Sequence, residues 1–412
     1  MLGNIGAQFL LEHRGLDNIP VNSYSDNSRD ANDYVHRAES FHKDGFRQTF
    51  KDGVRLPGYP LFLSLFYSLN KPWLAARCVQ ILLSSLNILF AYLALSRVLK
   101  RTFLPSAILT AVWAPFYFFS ALLYAESLSI TLVFALIYLL AQSQQPGSRH
   151  VFFWAIPFIL ALLVYLKPNH VFLLPPVLLF AGLTVGRGSV GRVKGRTLLG
   201  LVAVFALAMA PWSIFISILN RGPILFSTTS GVNLYLGTGV TPETLDEDWG
   251  PQERESANQL PTRVAHSLGL KDSALYARMK PRLRSETLAQ QNDYYSETAR
   301  QIWRQRPLGT TLYAFSKILH CFGFSLRRPS DFALVLLFLS SFFFSIYLWT
   351  GKVYREWSAF FWCLFAFACL QAFLYLPDQR FKTVIFDPAA LSILALGIAN
   401  LRRGQMSRRE SV

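Results

Sequence analysis

The feature that most constrains this chain is a succession of apolar stretches, each near the length of a membrane crossing and separated by polar joints. They run at 74–97, 103–121, 124–141, 151–166, 170–186, 198–219, 332–350, 357–376 and 384–401. A helix needs about 20 mostly apolar residues to cross the hydrocarbon core of a bilayer. Inside that core the backbone must satisfy its own hydrogen bonds, so helices are the natural spanning element. Nine such stretches predict an all-α polytopic membrane protein. The composition agrees: 52% of the residues are hydrophobic and only 16% charged, too little polar cover for a soluble domain. Pro115, Pro157, Pro175 and Pro176 fall inside the stretches, where neighbouring groups in a bundle can satisfy the carbonyls they free.

The net charge of +16 does not point to nucleic acid, because the bases sit beside the apolar spans. It reads as topology, with some attraction to anionic headgroups. Alternating the spans puts Arg97, Lys100, Arg101, Arg187, Arg192, Lys194, Arg196, Lys352, Arg355, Arg402, Arg403, Arg408 and Arg409 on one side, the cytoplasmic one. The N-terminus is then external and the C-terminus cytoplasmic, in a plasma membrane or a bacterial inner membrane. The stretch 310–326 carries Lys317 and His320 near its middle. A central Lys costs about 2.5–3.5 kcal/mol on insertion, so an interfacial helix is expected there. The short apolar segment 57–70 is expected to be interfacial or half-inserted.

Four regions follow: 1–73, an external first loop with its interfacial helix; 74–219, a transmembrane bundle; 220–330, an extracytoplasmic loop and interfacial helix; and 331–412, the last spans and a basic tail. The long loop holds an acidic patch (Glu243, Asp246, Glu247, Asp248) and a helix expected over 284–305. There Leu288, Tyr295, Ala299, Ile302 and Trp303 recur at helical spacing, as for packing on the bundle. The four cysteines form no framework and there is no CxxC or HExxH pattern, so free thiols are expected. MLGNIGAQFLL lacks the basic start of a secretory signal.

Chemistry concentrates where polar residues meet the external boundary. DNSRDANDYVHRAESFHKDGFRQTFKDGVRLPGYP (26–60) carries Asp26, Asp30 and Asp33, with Arg55 before its apolar exit. Glu126, Lys167, Lys317, His320 and Arg380 fall on the same predicted side. Ionisable groups near bilayer depth are costly, so they serve a function or a partner. Acids that can take a proton, beside bases that can hold an anion, suit phosphate-linked chemistry. Each residue also has a plainer reading. Asp26 and Asp33 can be solvated or cap a helix, Lys167 and Lys317 can reach headgroups, and Arg380 can pair with Asp378 or Asp387. Glu126 can be a hydrogen-bonded structural acid beside Tyr124, Ser127 and Ser129. His36 and His42 lack a metal-ligand arrangement. No acidic cluster with ligand spacing demands a divalent ion, so the sequence identifies no metal or other cofactor.

Several segments, in order, resemble the GT-C glycosyltransferases. The branch is that of the protein mannosyltransferases using dolichyl-phosphate-mannose and the bacterial aminoarabinose transferases. DANDYVHRA (30–38) resembles the family's first-loop Asp, then Tyr, then Ala. RLPGYPLFLSL (55–65) resembles its Arg-x-Pro-Gly-Tyr-Pro exit. AESLSITL (125–132), LKPNHVFLLP (166–175), PW (211–212), GVNLYLGTG (231–239) and QRFKTVIFDP (379–388) follow. The family has a spanning helix before its first external loop, which residues 1–25 are too short and polar to supply. It also often has Arg at the position of Lys167 and Tyr at that of Phe381.

The resemblance implies a GT-C-like transmembrane helix bundle with a long extracytoplasmic loop. It also implies sugar transfer from a polyprenyl-phosphate donor to a lipid, glycan or protein acceptor at the external face. Asp30 would be the general base and Glu126 a second acid. Arg380, Lys317, Arg55 and Lys167, in that order, would contact the donor phosphate, and Tyr34 and Tyr59 would shape the sugar pocket. A polytopic transporter or flippase of an anionic lipid-linked solute, or an inactive truncated homologue, are the alternatives. A transporter should show midplane charges and repeated halves, which the sequence does not.

Overall fold

Among the described residues six helices are long and apolar enough to cross a membrane: Pro72–Leu99, Ala125–Ser143, Gly195–Asn220, Asp331–Thr350, Arg355–Leu374 and Lys382–Arg402. With the sequence pattern, they make the chain a multi-pass, all-α membrane protein. The computed structural model describes residues 29–100, 103–120, 122–145, 149–184, 191–239, 288–324, 329–375 and 379–410. Asp26, the acidic patch at Glu243, Asp246, Glu247 and Asp248, and Asp378 lie outside these. The described residues form helices and no strand. We number the helices α1 (Arg29–Phe50), α2 (Gly58–Ser64), α3 (Pro72–Leu99), α4 (Leu104–Val112), α5 (Ala114–Ser120), α6 (Ala125–Ser143), α7 (Arg149–Leu166), α8 (Leu174–Thr184), α9 (Gly191–Asn220), α10 (Ser230–Leu236), α11 (Leu288–Gln305), α12 (Pro307–Cys321), α13 (Pro329–Thr350), α14 (Arg355–Leu374) and α15 (Gln379–Glu410).

Two of the nine expected spans take a different form. The stretch 103–121 is not one helix: it breaks at Trp113, whose backbone leaves the helical region (φ −78°, ψ 87°), giving α4 and α5. Pro115 explains the break, since it lacks a donor and its ring clashes with the carbonyl of the preceding turn. The stretch 151–166 is met by one helix, α7, and 170–186, over its described residues, by the apolar helix Pro168–Thr184. The second opens as a 3₁₀ turn, Pro168–Leu173, before α8. The expected interfacial segment 57–70 is helical only over the seven residues of α2.

Side-chain contacts fix how the helices run. Gln80 on α3 donates to the Leu122 carbonyl at 2.9 Å, and Gln145 beyond α6 donates to the Arg97 carbonyl at 3.1 Å. Hence α3 and α6 run side by side in the same direction, and α4–α5 make the return. Rings on α14 meet rings of the 3₁₀ turn and α8 in reverse order, Phe172 with Phe367 and Phe180 with Trp357. That pair is antiparallel, so the C-terminal end of α14 lies at the same end of the bundle as Lys167.

The centre of the bundle is α15 with α6. In their apolar windows 78% and 72% of residues are buried, against 28% in α9 and α13. Lipid tails are as apolar as Leu, so helix association inside a membrane depends on close packing, which small side chains permit. Ala389, Ala390, Ala395 and Ala399 on α15 are buried accordingly. The peripheral α13 instead exposes Phe332, Leu336, Leu339, Phe343 and Ile346, a stripe at helical spacing suited to lipid.

A second, smaller core stands apart from the main one. Tyr235 and Leu236 of α10, Ala299 and Ile302 of α11 and Tyr313 of α12 form it. The stripe on α11 packs inward: Tyr295 lies against Tyr235 (5.4 Å), and Trp303 stacks on Phe373 of α14 (5.1 Å).

The join between the first polar segment and the bundle is tight. A Cβ at Gly58 would stand 2.6 Å from the Tyr165 carbonyl oxygen, so α2 approaches the end of α7 more closely than any side chain allows. Gly58→Val is expected to destabilise the protein by about 1–3 kcal/mol through this overpacking, read as a lowered midpoint of thermal unfolding in detergent.

Candidate functional site

The sequence RDANDYVHRA favours a helix that carries Asp30 in its first turn, where the macrodipole welcomes an acid. It also sets Asp33 and Arg37 one turn apart, and they pair at 3.0 Å. Arg37 then reaches Asp52 at 2.7 Å and the Thr49 carbonyl at 2.9 Å, folding the segment after Gly45 back onto α1. Gly45 (φ 77°) interrupts the helix and permits that return. His42 is used structurally: its Nε2 meets the Ser64 carbonyl at 2.9 Å and its ring stacks on Tyr67.

Arg55 is the hub of this end of the bundle. It donates through Nη2 to Asp30 and through Nε to Asp33 at 2.7 Å. Its guanidinium also lies over the Tyr34 ring, 5.0 Å from the centroid. Burial alone would lower the Arg55 pKa, but Tyr34, Asp30 and Asp33 outweigh it and raise it above the ordinary value. Tyr34 is 1% exposed and meets Tyr59 edge-on at 4.8 Å. The Tyr59 hydroxyl donates to Gln80 on α3 at 2.6 Å. Burial pushes both phenols up; for Tyr34, Arg55 and Lys167 pull the other way.

A second ion pair closes the cluster from the membrane side. Glu126 stands in the first turn of α6 and is 1% exposed. Lys167 precedes Pro168, which disfavours helical backbone at residue 167. Its extended conformation ends α7, and its Nζ donates to Glu126 at 2.7 Å. His170, buried one turn on, meets the Leu163 carbonyl through Nδ1 at 2.7 Å and pins the 3₁₀ turn to α7. The Tyr34 phenol feels the charges of Arg55, Lys167, Asp30 and Glu126 together. Asp30, Tyr34, Arg55, Tyr59, Glu126 and Lys167 therefore form one assembly.

Lys317 is elsewhere in this end. It is fully buried, and its Nζ donates to the carbonyls of Gly237 (2.6 Å), Phe373 (2.9 Å) and Tyr375 (2.7 Å). Phe373 and Tyr375 lie at the C-terminal end of α14, where carbonyls lack helical partners and a cation is favoured. All three ammonium donors are used, so Lys317 joins the α10 loop to α14. That contact needs Gly237, where a Cβ would come within 2.0 Å of the Leu374 carbonyl oxygen. Arg380 opens α15 at the same end. Asp387, an alternative partner for it, instead pairs with Lys382 at 2.7 Å and accepts from the Trp113 indole at 3.1 Å.

Sequence reasoning missed the Arg37–Asp52 pair, Gln80, the Lys382–Asp387 pair and Arg77 of α3. Asp33 and Arg37 at helical spacing signal only their own pair; Lys382 and Asp387 share α15 five residues apart, and the partners of Asp52, Gln80 and Arg77 depend on which segments meet. Among the described residues no group of three or more His, Cys, Asp or Glu could hold a metal ion, and none of the four cysteines is in a disulfide. Compared with known proteins, the chain matches no family model, no curated protein and no solved structure.

Removing one member of a buried ion pair costs about 3–5 kcal/mol, because the other charge is left uncompensated. Lys167→Met is expected to lose stability on that scale, and Lys167→Met with Glu126→Gln to recover part of it. Thermal unfolding of the detergent-solubilised variants measures both. Lys317→Met, which strands three carbonyls, is expected to cost about 3 kcal/mol or more in the same assay.

Proposed function

We propose that the chain is a membrane glycosyltransferase of GT-C type. It transfers a sugar from a polyprenyl-phosphate donor to a hydroxyl of a lipid, glycan or protein acceptor at the extracytoplasmic face. The observation that carries this reading is the assembly of Asp30, Asp33 and Glu126 with Arg55 and Lys167 around two buried tyrosines, Tyr34 and Tyr59. It sits at one end of a membrane bundle, where a lipid-borne substrate can present its headgroup while its tail stays in the bilayer.

In the reaction the acceptor oxygen attacks the anomeric carbon as the bond from that carbon to the phosphate oxygen breaks. The electron pair leaves with the polyprenyl phosphate, and the acceptor proton passes to a carboxylate. Asp30 is the base. An ionised carboxylate offers about four acceptor positions, so binding Arg55 leaves room for a hydroxyl. Attack opposite the leaving phosphate inverts the anomeric centre. Arg55, Lys167 and Arg380 are the cations for the departing phosphate, stabilising charge as it develops. Lys317, with its donors engaged by carbonyls, braces the site and does not hold the phosphate. Tyr34 and Tyr59 give the sugar apolar faces within a polar rim.

General-base catalysis contributes about 10²–10⁴-fold. Asp30→Asn is expected to lower transfer by that factor with membrane insertion unchanged. Mass spectrometry of surface glycolipids and glycoproteins is the measurement, comparing cells with the intact gene, without it, and with Asp30→Asn. A sugar lost in the deletion and not restored by the variant supports the reading. An unchanged glycan profile in the deletion refutes it.

A further inference from the structure

We propose that the Arg77 guanidinium is a further binding group for the phosphate of a lipid-linked substrate, beside Arg55, Lys167 and Arg380, a role that rests on the glycosyl-transfer reading above. Arg77, Gln80 and Ser84 recur at helical spacing on α3 and share one face of it. That face is turned into the assembly: Gln80 holds the Tyr59 hydroxyl at 2.6 Å, and Ser84 meets Ser127 of α6 at 3.1 Å. The charge of Arg77 acts on the Tyr59 phenol, which also feels Glu126 and Tyr34. Arg77 is thus a neighbour of both halves of the site.

What sets Arg77 apart is how its charge is met. Asp30 and Asp33 are held by Arg55, Asp33 and Asp52 by Arg37, and Glu126 by Lys167. Arg77 forms no ion pair with a described carboxylate, and its buried Nε donates to nothing among the described residues. The guanidinium is half-buried, with its Nε shut off from water and no acceptor for it; that is costly, and an arriving anion removes the cost. The guanidinium fork matches two oxygens of a phosphate in a way that a point charge cannot. Its place near the start of a spanning helix, facing Tyr59, suits a phosphate attached to a lipid tail.

The test uses the purified full chain in phosphatidylcholine nanodiscs, with tryptophan fluorescence reporting thermal unfolding as ligand is titrated. Undecaprenyl phosphate is expected to raise the unfolding temperature of the wild type, and undecaprenol, its neutral alcohol, to leave it unchanged. Arg77→Gln is expected to weaken undecaprenyl phosphate binding at least tenfold, and Arg77→Lys about three- to tenfold. Phosphatidylglycerol and inorganic phosphate distinguish the source of the anion and are expected to bind at least tenfold more weakly. Wild-type affinity in either variant overturns the assignment of Arg77, as does equal binding of undecaprenol by the wild type. Equal binding of phosphatidylglycerol or inorganic phosphate overturns the lipid-linked source. Should Arg77→Gln not fold, Arg77→Lys and the comparison of phosphate with alcohol decide the matter. The glycosyl-transfer reading fails separately, through an unchanged glycan profile in the gene deletion.

Discussion

A charge withdrawn from water among apolar helices must be met by an opposite charge or by aligned dipoles, and the polar end of this bundle is organised by that requirement. Arg55 is met by two carboxylates and an aromatic face, Glu126 by Lys167, and Lys317 by three carbonyls. Each solution joins elements far apart in sequence. Arg55 holds the end of the first polar segment to α1, Lys167 fastens α7 to α6, and Lys317 ties the α10 loop to α14. In the low-dielectric interior these links are stronger than in water, and each is costly to leave half-made. The groups proposed for chemistry and the architecture of this end therefore share the same bonds.

That double use shapes how the site can work. A carboxylate that holds Arg55 is oriented by that pair, and such preorganisation is what the proposed transferase would use for electrostatic catalysis. The tyrosines between the two ion-paired groups are buried and fixed by ring contact and by Gln80, so this part of the assembly is ordered by its own contacts.

Much of this was legible in the sequence, for identifiable reasons. Apolar length reports spans directly: among the described residues six of the nine expected spans are helices long and apolar enough to cross, and 151–166 is also one continuous helix. Positive charge in the loops grouped Asp30, Arg55, Glu126 and Lys167 on one side, and the structure joins them into one assembly. The sequence could not show which acid meets which base. Glu126 and Lys167 are 41 residues apart, and only the packing of α7 on α6 brings them together. Lys317 looked like a free cation because its partners are backbone carbonyls, which leave no mark in composition. Arg380 had Asp387 as a possible partner until the pitch of α15 gave that acid to Lys382. Hydropathy was also blind to the break at Trp113, where one proline outweighs an otherwise continuous apolar run.

That break has a mechanical consequence for the surrounding bilayer. The nine residues of α4 and seven of α5 rise only about 25 Å at 1.5 Å each. The hydrocarbon core is about 30 Å thick. Leu104, Ile108 and Val112 of α4 turn outward, so lipid has to wet this short side. Were α4 to face a bilayer of that thickness, the acyl chains beside it would have to shorten or splay, at a cost of fractions of a kcal/mol per ångström. A mismatch of that kind would favour a thin bilayer over a thick one.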